Sequence, residues 1–388
     1  MTEGAKERAT HWLDLGLIVL LSAAAMAGPC WYIADERLHA IRLSLVAALV
    51  YVFLSRHRAR PKLYFLTLGF FLVYTIATIV VTIPNMAYDP FSGLFNFMMI
   101  WPLLYVLLSI ALNRPSESMR TFYLVCMVYV PLMTLFATVE YLTGWHLPTS
   151  RHAVGKTGVA TGMGYNENDF ATMMLLALLF IHAYRRVLLS KPRVWVDVLY
   201  AVLAMLVFVR LTHCRTAALL EFLYVVFMFR KKYGKVLIQH KKILIVGLLF
   251  VGAIVLRAFL KDYRSTLYTG AFLSLFDSYG LGMGIWGDTK YYEAHNYWVT
   301  NVHSYLLQFL VTSGLVVFLM YLTLIIYLMR KMAKGGRNEF YILPVFYLMA
   351  LNAPSSSLFI WGQYFIFVFI VVYAHMVSSS NEKPVAKS

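Results

Sequence analysis

The chain has 388 residues, of which 61% are hydrophobic and only 13% charged, and it carries a net charge of +16. That composition excludes a soluble globule, because its apolar runs repeatedly reach or approach the ~20 residues a helix needs to cross a bilayer. The positive charge falls in short clusters between apolar runs. That is the pattern of cytoplasmic loops facing anionic lipid, so no nucleic-acid partner is expected.

In chain order, the apolar runs predict twelve spans. They lie at about 12–33, 40–54, 63–84, 92–112, 119–143, 168–184, 194–209, 215–230, 243–260, 302–329, 338–352 and 357–377. All are read as helices, since backbone in lipid must satisfy its own hydrogen bonds and no alternating barrel pattern occurs. The first follows a short polar stretch, has no small-residue cleavage site and reads as a retained signal-anchor. With both termini cytoplasmic, 24 of the 34 lysines and arginines fall in the tails and in the loops placed inside. Every cytoplasmic loop is then basic, as the positive-inside rule requires. The expected architecture is a single all-α polytopic membrane domain over 1–388, without internal repeat or soluble domain. The missing repeat counts mildly against several transporter folds. Cys30, Cys126 and Cys214 show no metal-ligand spacing and no disulfide framework.

This topology leaves two long outer loops, 144–167 and 261–301, and two tight outer turns, 211–214 and 352–356. Even-numbered spans begin outside, so the positive ends of their helix dipoles face outward. The sixth opens Gly164-Tyr165-Asn166-Glu167-Asn168-Asp169, the eighth Thr212-His213-Cys214-Arg215-Thr216, and the tenth Asn301-Val302-His303-Ser304-Tyr305. Helix N-termini with free backbone donors suit phosphate, and Arg215 adds a planar bidentate donor. A first-turn His303 is held toward its neutral form by the dipole, which equips it to take a proton from a hydroxyl. Loop 261–301 contributes Arg264, the glycines Gly280, Gly282 and Gly284, and an aromatic run with His295, Asn296 and Trp298. Each piece also has a plain reading. Asn166 and Asn168 cap a helix, Arg215 snorkels and Arg264 is a solvated loop charge. The glycines match neither a Walker loop nor a Rossmann turn, and the aromatic run is interfacial packing. The buried acids Glu140 and Glu221 either pair with arginines for structure or belong to the site.

The order of these pieces resembles the bacterial O-antigen ligase and O-antigen polymerase superfamily, which includes teichuronic-acid and capsule polymerases. Its helix start of the type Asn-x-Asn-x-x-Ala is matched by Asn166, Asn168 and Ala171. Its arginine followed by small residues is matched by Arg215, Thr216 and Ala217. Its loop arginine and Gly-x-Gly-x-Gly stretch are matched by Arg264 and by Gly280, Gly282 and Gly284. Its final histidine, leucines and glycine eleven residues on are matched by His303, Leu307, Leu310 and Gly314. Ser304 stands where the family has asparagine, and His295-Asn296 is the alternative placement of the His-Asn pair. The motifs cover roughly 160–330.

The resemblance implies a GT-C-like membrane glycosyltransferase without cofactor or metal. It would move a glycan from undecaprenyl pyrophosphate to an acceptor sugar hydroxyl on the outer face of the bacterial cytoplasmic membrane. Arg215 and Arg264 would hold the pyrophosphate, and His303 would act as base. Asn166, Asn168, His295, Asn296, Trp298 and Tyr305 would contact the substrates. The expected activity is that of a surface-polysaccharide polymerase acting on an acceptor glycan or glycolipid, with polysaccharide-assembly partners. The alternatives are an O-antigen ligase with a lipid A-core acceptor, a transporter or flippase of lipid-linked saccharides, and a scaffold subunit.

Overall fold

The computed structural model describes residues 3–27, 29–33, 36–55, 61–83, 94, 97–152, 154–189, 193–239, 264–285, 287–295, 304–333, 343–352 and 361–382. The chain runs α1 (Glu3–Ala27), β1 (Pro29–Ile33), β2 (Glu36–His39), α2 (Ala40–Ser55), α3 (Lys62–Thr82), α4 (Ile100–Asn113) and α5 (Pro115–Thr143). It continues as α6 (Glu167–Val187), α7 (Val194–Met205) with a π-helical turn (Leu206–Leu211), α8 (Arg215–Gln239), α9 (Arg264–Asp277) and α10 (Gly287–Ala294). Last come α11 (Tyr305–Ala333), α12 (Leu343–Asn352) and α13 (Trp361–Glu382).

Six of these helical stretches are long and apolar enough to cross a membrane: Thr10–Ala27, Lys62–Thr82, Pro115–Thr143, Glu167–Val187, Val194–Leu211 and Tyr305–Ala333. Ile100–Asn113 and Gly362–Ser378 are shorter apolar helices. The outer helices carry large apolar side chains on the surface at helical spacing, such as Ile76 and Val80 on α3 and Val128, Leu135 and Leu142 on α5. Water would penalise such stripes, whereas lipid accommodates them. The molecule is a multi-pass helical membrane protein.

Two helices form the centre. In α6, every residue from Phe170 to Arg185 is buried, and α13 is buried from Gly362 to Ala374. Around α13 stand α1, α4, α5, α6, α11 and α12. Because lipid removes much of the hydrophobic drive between helices, dispersion and shape hold these contacts. Phe122 of α5 stacks on Phe369 of α13 at 4.2 Å and meets Phe180 of α6 edge-on at 4.8 Å. Each such pair adds about 0.5–1.5 kcal/mol beyond the area it covers.

Three expectations change. The first span stops at Ala27 instead of 33, because Pro29 cannot donate to a helix and residues 29–33 pair with Glu36–His39 as an antiparallel hairpin. The stretch 261–301 is no plain loop, since it contains α9 and α10. The tenth span is broken: Gly314 has φ 83° and ψ 169° inside α11. A straight helix would hold Phe309 and Tyr321 ~18 Å apart along its axis, yet their rings stack with centroids 4.8 Å apart. The limb 305–313 therefore folds back along the limb 315–333. The crossing falls to the second limb, about 28 Å long at 1.5 Å per residue. The predicted ninth span, 243–260, lies outside the described residues.

Candidate functional site

The first candidate region is built on Glu140, fully buried near the end of α5. Its carboxylate accepts from the backbone N–H of Thr161 (3.1 Å) and Gly162 (2.6 Å) and from the Thr161 hydroxyl (3.3 Å), and it faces His146 Nδ1 at 3.2 Å. The other nitrogen of that ring, Nε2, donates to the Lys156 carbonyl at 2.8 Å. One carboxylate thus gathers both ends of loop 144–167, and its partners are a histidine and backbone amides, not an arginine. Beside it Glu167 pairs with Arg151 and, at 3.3 Å, with His152 Nε2. Burial pulls the His152 imidazole below its ordinary value, against the opposing pull of the Glu167 carboxylate.

Loop 144–167 also leads into two of the predicted helix starts. Asn166 caps α6: its Oδ1 accepts from the N–H groups of Asn168 and Asp169 at 2.9 Å each, and its Nδ2 donates to Asp169 Oδ2 at 3.0 Å. The plain reading of Asn166 therefore holds, with Asn168 half-buried in the same turn. At α8, the π-helical turn ends with the Thr212 N–H donating to the Val207 carbonyl at 2.8 Å. His213 then takes a left-handed φ of 54° and donates from Nε2 to the Gly158 carbonyl at 3.1 Å. This turn delivers Arg215 to the first position of α8, with its side chain exposed. Arg210, which the sequence reading passed over, lies over the Tyr141 ring at 5.2 Å. Loop 144–167 and the α8 start therefore present Arg151, Arg210 and Arg215, of which Arg151 is paired with Glu167.

The second candidate region comprises α9, the glycine loop, α10 and the first limb of α11. Arg264 opens α9, and its side chain lies outside the described residues, as do His303, Asn296 and Trp298. The glycine loop is a backbone-to-backbone joint. The N–H groups of Met283 and Gly284 donate to the carbonyls of Val311 (2.7 Å) and Thr312 (3.1 Å), and that of Leu315 donates to the Gly280 carbonyl (2.8 Å). These bonds satisfy backbone groups that the break at Gly314 releases. A Cβ on Gly282 would stand 2.6 Å from Gly314 N, and one on Gly284 would stand 2.5 Å from Thr82 Cα. The family-like glycines and Gly314 are thus one structural device.

Tyr305, expected at an outer mouth, is 2% exposed and lies inside the bundle beside Tyr74, Tyr321 and Tyr364. The first limb therefore starts in the interior, with Ser304 buried at its N-terminus. The Ser304 hydroxyl accepts from the Leu307 N–H at 3.4 Å. Side-chain polar atoms buried near this limb without a hydrogen-bond partner among the described residues include Tyr74 Oη and Gln308 Oε1. His295 is exposed at the end of α10, stacks on Tyr291 at 4.1 Å and donates from Nδ1 to the Tyr291 carbonyl at 2.8 Å. In the neutral ring that bond makes Nε2 the acceptor.

A third cluster holds Glu221, expected from sequence to pair with an arginine or to belong to the site, but His182 and Asp197 were not singled out, and Glu221 is bonded to that histidine. His182 of α6 is buried between Glu221 of α8 (2.8 Å) and Asp197 of α7 (3.4 Å), and Asp197 also accepts from Arg185 Nε at 2.9 Å. Arg185 further donates to the Tyr123 hydroxyl (3.2 Å) and the Arg193 carbonyl (2.6 Å). Its available signal was ionisable residues inside predicted spans, which lipid makes costly and therefore informative. Compared with known protein families and curated proteins, the chain matches no family model and no curated sequence.

Proposed function

We propose that the chain is a membrane glycosyltransferase of the bacterial envelope, a surface-polysaccharide polymerase. It takes a glycan from undecaprenyl pyrophosphate and joins it to an acceptor sugar hydroxyl on the outer face of the cytoplasmic membrane. The observation that supports this most is the first limb of α11. It is a half-helix whose N-terminus starts inside the bundle next to buried polar side chains, and His303 is the residue before Ser304 in sequence. Half-helix N-termini within a membrane attract anionic substrate groups. In the proposed reaction His303 takes the proton of the acceptor hydroxyl. The freed oxygen forms the new bond to the anomeric carbon, and the old carbon–oxygen bond breaks, leaving its electron pair on the pyrophosphate. Arg215 and Arg264 stabilise that departing charge. His295, whose Nε2 is the acceptor in the neutral ring, is the alternative base. O-antigen ligation to a lipid A-core acceptor uses the same chemistry with another nucleophile.

A second reading, a transporter or flippase of lipid-linked saccharides, is favoured by two observations. The tenth span is broken, and His182, Asp197 and Glu221 form an ionisable cluster among membrane-spanning helices. One experiment separates the readings. The protein is reconstituted in liposomes with a polyprenyl-pyrophosphate oligosaccharide, and glycan transfer and translocation are both followed. We expect polymer from the wild type and none from His303→Ala or Arg215→Ala, with membrane insertion unchanged. Full transfer in both variants sinks the proposal. Translocation without transfer, abolished by His182→Gln, selects the transporter.

A further inference from the structure

Helix α9 has large apolar side chains on two opposite faces, and only one of these faces is buried among the described residues. At ~100° per residue, Leu267, Ala271 and Ser274 form one stripe. They are 2%, 1% and 1% exposed and lie against α10 and the first limb of α11. The stripe ~180° away is Phe272, Leu273 and Phe276, which are 48%, 46% and 76% exposed. A helix bordering water carries polar residues on its outer face, whereas this one carries two phenylalanines and a leucine there, with the exposed Thr269 on the same face one turn nearer its N-terminus. With 14 residues it is about 21 Å long, too short to cross the ~30 Å hydrocarbon core.

The chain after α9 shows what covers the stripe. Tyr279 and Leu281 continue it, 93% and 68% exposed. The Gly280 carbonyl then accepts from the Leu315 N–H, which places this surface beside Leu315, Val316 and Leu319, the exposed apolar face of the second limb of α11. That limb belongs to a candidate membrane span. The outer stripe of α9 is thus continuous with a surface that already faces lipid.

We infer that α9 is a re-entrant helix whose Phe272–Leu273–Phe276 stripe lies in the acyl chains of the bilayer, so that much of the 261–301 segment is embedded instead of standing in water as an outer loop. With the first limb of α11 it forms a pair of short helices entering the membrane from one side, closed by the glycine joint. The inference stands on packing and exposure alone and does not depend on glycan transfer.

Spin-label accessibility tests it. Phe276→Cys and Leu273→Cys are made separately in a full-length chain in which Cys30, Cys126 and Cys214 are replaced by alanine. The labelled proteins are checked for monodispersity and reconstituted in phosphatidylcholine–phosphatidylglycerol liposomes. Accessibility to oxygen, which concentrates in hydrocarbon, is compared with accessibility to a water-soluble nickel chelate. Leu319→Cys serves as the lipid-facing reference and the exposed Lys290→Cys as the aqueous one. Both stripe positions are expected to match Leu319→Cys, with oxygen accessibility several-fold above that of the chelate. Chelate accessibility equal to that at Lys290→Cys overturns the inference. So does low accessibility to both reagents with spin–spin broadening, which would put a second copy of the chain on the stripe.

Discussion

Glu140 and Gln308 are both polar side chains buried among apolar helices, and the molecule treats them in opposite ways. Around Glu140 each carboxylate oxygen has partners: two backbone amides, a threonine hydroxyl and an imidazole. At the inward-starting limb of α11, the Gln308 carbonyl oxygen and the Tyr74 hydroxyl are among the buried atoms with no partner among the described residues. A buried polar atom without a partner costs about 1–3 kcal/mol. The first cluster therefore builds the fold. The second is not satisfied within the described part of the fold, which leaves its polar atoms open to a partner from outside it.

The largest break in this contrast is Glu140→Ala. It leaves two buried N–H groups and a hydroxyl without their acceptor and His146 Nδ1 without its partner, and it frees loop 144–167 from α5. The expected loss is on the order of 3–5 kcal/mol, read as a fall in the thermal midpoint of the detergent-solubilised protein. Glu140→Gln, which keeps one acceptor oxygen, should fall between the variant and the wild type. A midpoint unchanged in Glu140→Ala would show that the loop is held by something else.

Next in size is Gly314→Ala. A Cβ at this position would overlap the Leu281 carbonyl, and its φ of 83° is one that L-residues rarely adopt. Strain of about 1–3 kcal/mol adds to the overlap. Gly280→Ala is the matched comparison. Its φ is also positive, but its Cβ would make only ordinary contact with Leu315 at 3.8 Å, so the backbone cost of about 1–2 kcal/mol is all that is expected. Equal effects at the two positions would mean that the joint at α11 is loose and that the limb 305–313 is free to straighten.

These two sites also mark how far the sequence could be read. Hydropathy and charge located α2, α3, α5, α6 and α7 to within a few residues. Side-chain chemistry located the α6 cap at Asn166 and the α8 start at Arg215. The break at Gly314 escaped because residues 302–329 hold no charge and a hydropathy window averages over one glycine. The spacing of Gly280, Gly282, Gly284 and Gly314 was visible as a pattern, but its cause was not. Positive φ and close backbone approach leave no mark on composition, so a tight joint showed only as a glycine pattern that matches neither a Walker loop nor a Rossmann turn. The His182 cluster escaped for another reason. Glu221 lies 39 residues away in sequence from its histidine, and only the packing of α6 against α8 brings the two together.

The smallest expected effect is the most pointed test of the contrast. Tyr74 stacks on Phe309 at 4.4 Å with an interplanar angle of 14°, so Tyr74→Phe keeps the ring contact and removes only the hydroxyl. Because that hydroxyl has no partner among the described residues, the variant should be as stable as the wild type or more stable by up to ~1 kcal/mol. If the cluster serves the half-helix as a substrate site, glycan transfer should fall while the thermal midpoint stays level or rises. A drop in midpoint would show that the Tyr74 hydroxyl is bonded within the fold, and the distinction from Glu140 would then collapse. Unchanged stability with unchanged transfer would leave the hydroxyl without a role and remove the buried polar groups from the case for substrate binding there.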